Sequence, residues 1–271
     1  MSLTAVSLKP RIGARVACEK SDLTSGRHTD DIRRLLDDRG VLAFPQLNLT
    51  DEEQVALTKT LGVVVEIVGK QIFKVSLEEG QTMFADYLRG TWHWHIDGTP
   101  DLAEPPRATL LSARVVASEG GATLFANTYA AFEDLPESEQ RALEKLNVYH
   151  SAAENLRRVY EHPTEEQLEK WGRLPPRLRP MVWTHKTGRK SLVLGSTAGS
   201  VEGMSPEEGR ALIDRLMDWS TRPEYVYRHE WSVGDLVIWD NTGTMHRVEP
   251  YAADSGRLMH RTTLAPEEAL V

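Results

Sequence analysis

The sequence predicts a mainly β fold with flanking helices. Two observations carry this: at least six short segments of strand character, and few long helical periods between them. Alternating βαβ units would require a helix after nearly every strand, so the pattern favours an antiparallel sandwich or barrel.

The elements follow in order. Thr29-Asp30-Asp31 leads into IRRLLDDRG, where Ile32, Leu35 and Leu36 recur at helical spacing and Gly40 stands at the expected C-terminal stop. VLAF at 41–44 reads as a strand. Thr50-Asp51-Glu52-Glu53 has capping-box spacing, as does Ser205-Pro206-Glu207-Glu208, where Pro206 takes the first helical position. Strands are expected at 108–116, 122–127, 181–185, 191–195, 225–231 and 235–240. The stretch 129–180 reads as helix and loop, and LPPRLRP within it is too proline-rich for regular structure. We expect one domain over 1–271, with a helical and loop insertion around 129–180.

The 271 residues carry 32 Lys plus Arg against 40 Asp plus Glu, a formal charge of −8 that argues against nucleic acid as the partner. No stretch approaches the roughly 20 apolar residues of a membrane span, and none reads as a signal peptide. Cys18 is the only cysteine, so no intrachain disulfide or thiolate metal cluster can form. A soluble cytoplasmic protein acting on a small molecule is expected.

TWHWHIDGTP at 91–100 places His93, His95 and Asp97 at every second position. In a strand all three would share one face, with Trp92, Trp94 and Ile96 on the other. Two chelating pairs overlap there, His93-x-His95 and His95-x-Asp97, and strand geometry alone does not choose between them. An exposed polar strand face is the competing reading. A His-x-Asp pair with one distant His forms the facial triad of non-haem Fe(II) oxygenases, and His246 lies after the expected strand at 235–240. Arg257 and Arg261 follow within the same stretch, and guanidinium groups there suit carboxylate recognition.

These pieces together resemble the TauD/TfdA family of Fe(II)/2-oxoglutarate-dependent dioxygenases. The matching segments are WHID at 94–97, EGGATLFAN at 119–127, THKTGRKSLVLG at 184–195, GDLVIWDNTGTMHR at 234–247 and GRLMHRTTL at 256–264. The resemblance implies a double-stranded β-helix (jelly-roll) core, homo-oligomers, and His95, Asp97 and His246 as catalytic iron ligands. It assigns Thr123 and Arg257 to the distal carboxylate of 2-oxoglutarate and Arg261 to an anionic group of substrate or cosubstrate. It also implies hydroxylation by O₂ through a ferryl species, with succinate and CO₂ as coproducts and C–O or C–S cleavage where the hydroxylated carbon bears a heteroatom.

VLGSTAGSVEGM and YRHEWSVGDLVIWDN are closer to the aryloxyalkanoate (2,4-dichlorophenoxyacetate) branch than to taurine dioxygenase. Two positions depart from the family: Thr242 replaces the usual Arg after WDN, and 63–75 lacks the histidine that grips a sulfonate in taurine dioxygenase. Asp97 occupies the position a halide would need, so hydroxylation is expected over halogenation. The register set by WHID leaves His93 beside the ligands, with a role next to them, toward substrate, or in plain packing. Phe84, Tyr87, Thr91, His93 and Arg261 are the expected substrate contacts. The alternatives are a taurine or alkylsulfonate dioxygenase, a natural-product-tailoring oxygenase, a zinc hydrolase on the same triad, and a non-catalytic jelly-roll module.

Overall fold

A computed structural model describes residues 3–78, 85–100, 102–173 and 175–270. In chain order its strands are β1 (Thr4–Ser7), β2 (Ala14–Ala17), β3 (Val41–Phe44), β4 (Phe73–Val75), β5 (Ala108–Val115), β6 (Thr123–Asn127), β7 (Asn147–His150), β8 (Arg177–Pro180), β9 (Val182–Thr184), β10 (Lys190–Leu192), β11 (Ala198–Val201), β12 (Val226–His229), β13 (Leu236–Asp240), β14 (Thr244–Val248) and β15 (Leu258–Thr263). The helices are α1 (Lys20–Thr24), α2 (Thr29–Arg39), α3 (Asp51–Leu61), α4 (Ala85–Gly90), α5 (Thr128–Glu133), α6 (Glu137–Leu143), α7 (Ala152–Val159), α8 (Glu165–Gly172) and α9 (Pro206–Ser220). Among the described residues, no helix is long and apolar enough to cross a membrane.

The local rules behave as expected. α2 ends at Gly40, whose φ of 69° lets its N–H return to the Leu36 carbonyl. In α3 the Glu53 N–H donates to Thr50 Oγ1 at 3.2 Å and the Thr50 N–H donates to Glu53 Oε2 at 2.8 Å. Ser205 and Glu208 form the same box at the start of α9, with Pro206 inside it.

Seven strands form one sheet in the order β1-β2-β3-β13-β5-β15-β4. Only the β2–β3 pair is parallel among its described pairings. One face presents Leu42, Phe44, Leu110, Leu236 and Ile238 to Leu23, Ile32, Leu36 and Leu57 of the first three helices. Each such side chain taken out of water contributes about 1.5–3 kcal/mol. The opposite face, with Val41, Leu111, Val237, Trp239 and Met259, packs on Phe125 of β6.

Phe125 belongs to a second sheet, β12-β6-β14. Its inner face meets the large sheet, and its outer face, through Ala126 and Met245, joins a cluster with Ile213 and Leu216 of α9. The candidate ligands lie in the layer between the two sheets.

The stretch 129–180 is largely helix and loop, but it also contains β7 and β8. LPPRLRP is therefore not wholly irregular: its Arg177–Pro180 segment pairs with β7 at the edge of a β11-β7-β8 sheet. Proline is tolerated on an edge strand, because the N–H it lacks is not needed by a further neighbour. Arg179 of this strand is 7% exposed, and it donates to the carbonyls of Thr99, Leu102 and Ala103, so β8 holds the loop that follows Asp97.

Candidate metal centre

Residues 91–100 do not form the expected strand. The N–H groups of Thr91, Trp92 and His93 donate back to the carbonyls of Leu88, Arg89 and Gly90, winding the chain off the end of α4. Gly98, at φ 73°, turns it again immediately after Asp97. These two turns remove the alternation that would have put His93, His95 and Asp97 on one face.

One bridge survives. His95 and His246 of β14 exchange two backbone hydrogen bonds, each 2.9 Å, which turns both side chains to the same side. Their ring centroids are 4.1 Å apart. Asp97 comes round by the turn, and its Oδ1 lies 3.8 Å from Nε2 of each histidine. The three groups offer one ligand atom apiece, all within 4.8 Å of one another, and all three residues are buried.

The chemistry of this donor set suits a divalent metal. His95 Nδ1 lies 2.8 Å from the His93 carbonyl, which can only accept, so the proton sits on Nδ1 and the Nε2 lone pair faces the cluster. Nε2 is buried with no hydrogen-bond partner, an arrangement that costs free energy unless an ion takes the lone pair. Burial, with His95 alongside, pushes His246 down to about 3, and burial also lowers His95, so both imidazoles are neutral donors. Burial alone would raise the Asp97 carboxyl, but the Arg261 guanidinium and the Thr109 hydroxyl beside it favour its ionised form.

A directed hydrogen-bond chain fixes the carboxylate. The Trp239 indole donates to Asn241 Oδ1 at 3.0 Å, so the Asn241 amide nitrogen is left to donate to Thr109 Oγ1, also at 3.0 Å. Thr109 then spends its own proton on Asp97 Oδ2 at 2.8 Å. Such partners commonly set ligand orientation. Sequence reasoning missed Thr109 and Asn241 in this role; the one available signal was a hydroxyl inside the otherwise apolar ATLL run.

Thr242, the departure from the family pattern, bonds Asp240 through both its N–H and its hydroxyl. The cation beside Asp240 is Arg107, at 2.5 Å.

Arg257 reaches Gly121, two residues before Thr123. Thr123 pairs with Val248 and Phe125 with His246, so Thr123 shares the inner face of its sheet with His246. Its Oγ1 accepts from the Trp231 indole at 2.9 Å, leaving its proton free to donate elsewhere. Arg257 is 4% exposed, donates to the Gly121 carbonyl at 3.3 Å, lies 4.6 Å over the Tyr251 ring, and has no carboxylate partner among the described residues. A buried guanidinium without a counter-ion is costly, which suits it to an anionic ligand. Gly121 permits this approach: a Cβ there would stand 3.1 Å from Arg257 Nε, on a backbone of φ +73°.

Arg261 places Nη1 3.8 Å from Asp97 Oδ1 and lies 5.1 Å over the Phe73 ring. It borders a cavity of about 450 Å³ beside Asp97, whose other walls include Val65, Ile67, Leu102 and Pro106. Of the other expected substrate contacts, Phe84 and the side chain of Tyr87 lie outside the described residues. Thr91 donates its hydroxyl to the Leu88 carbonyl at 2.6 Å. The His93 ring lines a different cavity, and what His93 gives the metal cluster is its backbone carbonyl. The remaining core histidines have other partners: His185 with Glu268 and Ser191, His229 with Tyr227 and Asp235, His260 with Asp51, His150 with Thr197.

The family described as "Taurine catabolism dioxygenase TauD, TfdA family" matches residues 4–263. The alpha-ketoglutarate-dependent 2,4-dichlorophenoxyacetate dioxygenase of Cupriavidus pinatubonensis is 32% identical over 288 residues, a match covering 97% of this chain and 98% of that protein. The (S)-phenoxypropionate/alpha-ketoglutarate-dioxygenase of Sphingobium herbicidovorans is 31% identical over 241 residues, covering 84% and 83%. Among solved structures, AAD-2 in complex with Mn(II) and N-oxalylglycine superposes with a TM-score of 0.85 at 32% identity, over 100% of both chains.

Proposed function

From the premise that this chain belongs to the TauD/TfdA family, as an Fe(II)- and 2-oxoglutarate-dependent dioxygenase, we infer that it oxidises a small aryloxyalkanoate-type acid. His95, Asp97 and His246 hold the iron, and Thr123 and Arg257 bind the distal carboxylate of 2-oxoglutarate. Iron, 2-oxoglutarate and O₂ together supply the insertion of one oxygen atom into a substrate C–H bond, while 2-oxoglutarate is converted to succinate and CO₂.

The protein's own share is positioning. Thr109 fixes the Asp97 carboxylate, and the two buried, neutral imidazoles leave their lone pairs available to the metal. Arg257, 4% exposed, neutralises the cosubstrate's far end. Arg261 takes the carboxylate of the substrate, and the apolar walls of the neighbouring cavity take its body. An oxygen placed on a carbon already bonded to ether oxygen gives a hemiacetal, which collapses with C–O cleavage.

The observation that carries the substrate reading is the single guanidinium of Arg261 at the edge of a largely apolar cavity beside Asp97, whose other polar wall residues are Glu66 and Thr263. We read the facing sheets as a double-stranded β-helix core within one domain, with residues around 129–180 as its insertion. A cytoplasmic setting is in keeping with the lone Cys18.

The test is substrate-dependent succinate formation across phenoxyacetates, phenoxypropionates, alkylsulfonates and sulfate esters. Phenoxy acids should stimulate turnover most, and Arg261→Ala should abolish that preference. Stronger stimulation by an alkylsulfonate than by any phenoxy acid would overturn the substrate reading and leave the dioxygenase chemistry standing.

A further inference from the structure

A second cavity, of about 430 Å³, opens behind the ligand-bearing segment, and it shares no lining residue with the cavity beside Asp97. Its walls come from residues 92–94, the Gly195-Ser196 turn, α7, α9 and β14. A volume of this size is ordinary for a small-molecule site.

Its polar groups are mostly donors lacking acceptors. Ser196 is 5% exposed, and its buried Oγ has no hydrogen-bond partner. The Trp92 indole Nε1 is also buried and unpartnered, as is Nη2 of Arg210. Arg158 and Arg247 make no ion pair among the described residues; the Arg247 guanidinium lies 5.4 Å over the Trp94 ring. On the acidic side, Asp214 is already paired with Arg210 at 3.2 Å, and Asp218 is exposed on α9. Two unpaired arginines therefore face one solvated aspartate.

Unsatisfied buried donors in a lining with more arginines than aspartates call for an acceptor-rich anion, and the indoles of Trp92 and Trp94 with Met217 offer an apolar surface for its body. We propose that this cavity binds a small organic carboxylate, with its head among Arg158, Arg247 and Ser196 and its body against Trp92 and Trp94. The site is separate from the iron and its substrate. Arg247 is placed for the task by register: it follows His246 on β14, so its side chain leaves by the face opposite the metal ligands.

Calorimetric titration of the full chain with benzoate, and separately with inorganic phosphate, tests the assignment. Arg158→Glu and Arg247→Gln should each weaken one benzoate-binding event at least tenfold, while Arg261→Ala, in the other cavity, leaves that event within twofold of its original strength. Arg158 is exposed, so its charge reversal tests binding without endangering the fold, and unchanged melting temperatures check both variants. Benzoate binding that neither substitution weakens, or that disappears with Arg261→Ala, would overturn the proposal. So would binding of phosphate with none of benzoate.

Discussion

The backbones of His95 and His246 are joined by two reciprocal hydrogen bonds of 2.9 Å, and their rings stand 4.1 Å apart. Two candidate ligands from distant parts of the chain are thereby held in mutual register by main-chain atoms that side-chain substitution leaves in place. The candidate metal site should therefore keep its backbone shape when one of these side chains is removed.

His246→Ala should consequently fold, yet fail to develop the visible absorption expected when Fe(II) and 2-oxoglutarate are combined without oxygen. His93→Ala should retain that absorption, because it is the His93 carbonyl that fixes the His95 tautomer, and alanine keeps the carbonyl. Loss of the band in both variants would mean that the His93 ring has a metal-site role that its position does not account for.

Thr109→Val keeps the side chain's shape and removes the hydroxyl that donates to Asp97 Oδ2. Iron affinity should fall by about 10- to 100-fold, the usual scale for a partner that orients a ligand. Equilibrium metal competition measures it. Thr109→Ser, which keeps the hydroxyl, should recover most of the loss.

Arg257→Ala should raise the KM for 2-oxoglutarate by about 30-fold or more, since one partner of a buried charge pair is worth roughly 2–5 kcal/mol. Gly121→Ala should act on the same parameter more mildly. Its added Cβ strains a φ of +73° and presses on Arg257 Nε, displacing the guanidinium without removing it. A steady-state KM that Gly121→Ala leaves unchanged would show that the guanidinium has room to move.

His150 should make the protein acid-sensitive independently of the metal. It is 0% exposed, and burial, with Arg179 beside it, pushes its imidazole from the ordinary 6.5 to about 3. Because the folded value lies below the unfolded one, the unfolded chain binds more protons between the two. Stability is therefore full above pH about 6.5 and falls by about 1.4 kcal/mol per pH unit on acidification. Between pH 7 and pH 5 the loss from this group is about 2 kcal/mol. Urea unfolding at the two pH values should show it in the wild type, and His150→Asn should remove that part of the slope.

What could be read in the sequence was what neighbours in the chain decide. Thr50 with Glu53, Ser205 with Glu208, and Gly40 at its left-handed cap are each completed within a few residues, so their spacing specifies their structure. The apolar runs at 41–44, 108–116 and 235–240 became strands because a buried strand needs little beyond its own side chains to declare itself. The candidate ligands were visible as residue types, through their match to WHID and the distant histidine.

Tertiary structure decided how those residues meet. No strand forms over 91–100 because the end of α4 takes the N–H groups of 91–93 and the chain turns at Gly98, which leaves the His95 bridge and the bond from the Val248 N–H to the Thr91 carbonyl as the links to β14. The Trp239–Asn241–Thr109 chain, the approach of Arg257 to Gly121 and the grip of Arg179 on the loop after Asp97 join positions far apart in sequence. Hydrogen bonds of that kind leave no periodic trace in the chain, since each partner's position is set by how the sheets and the segments around them pack and not by the residues beside it.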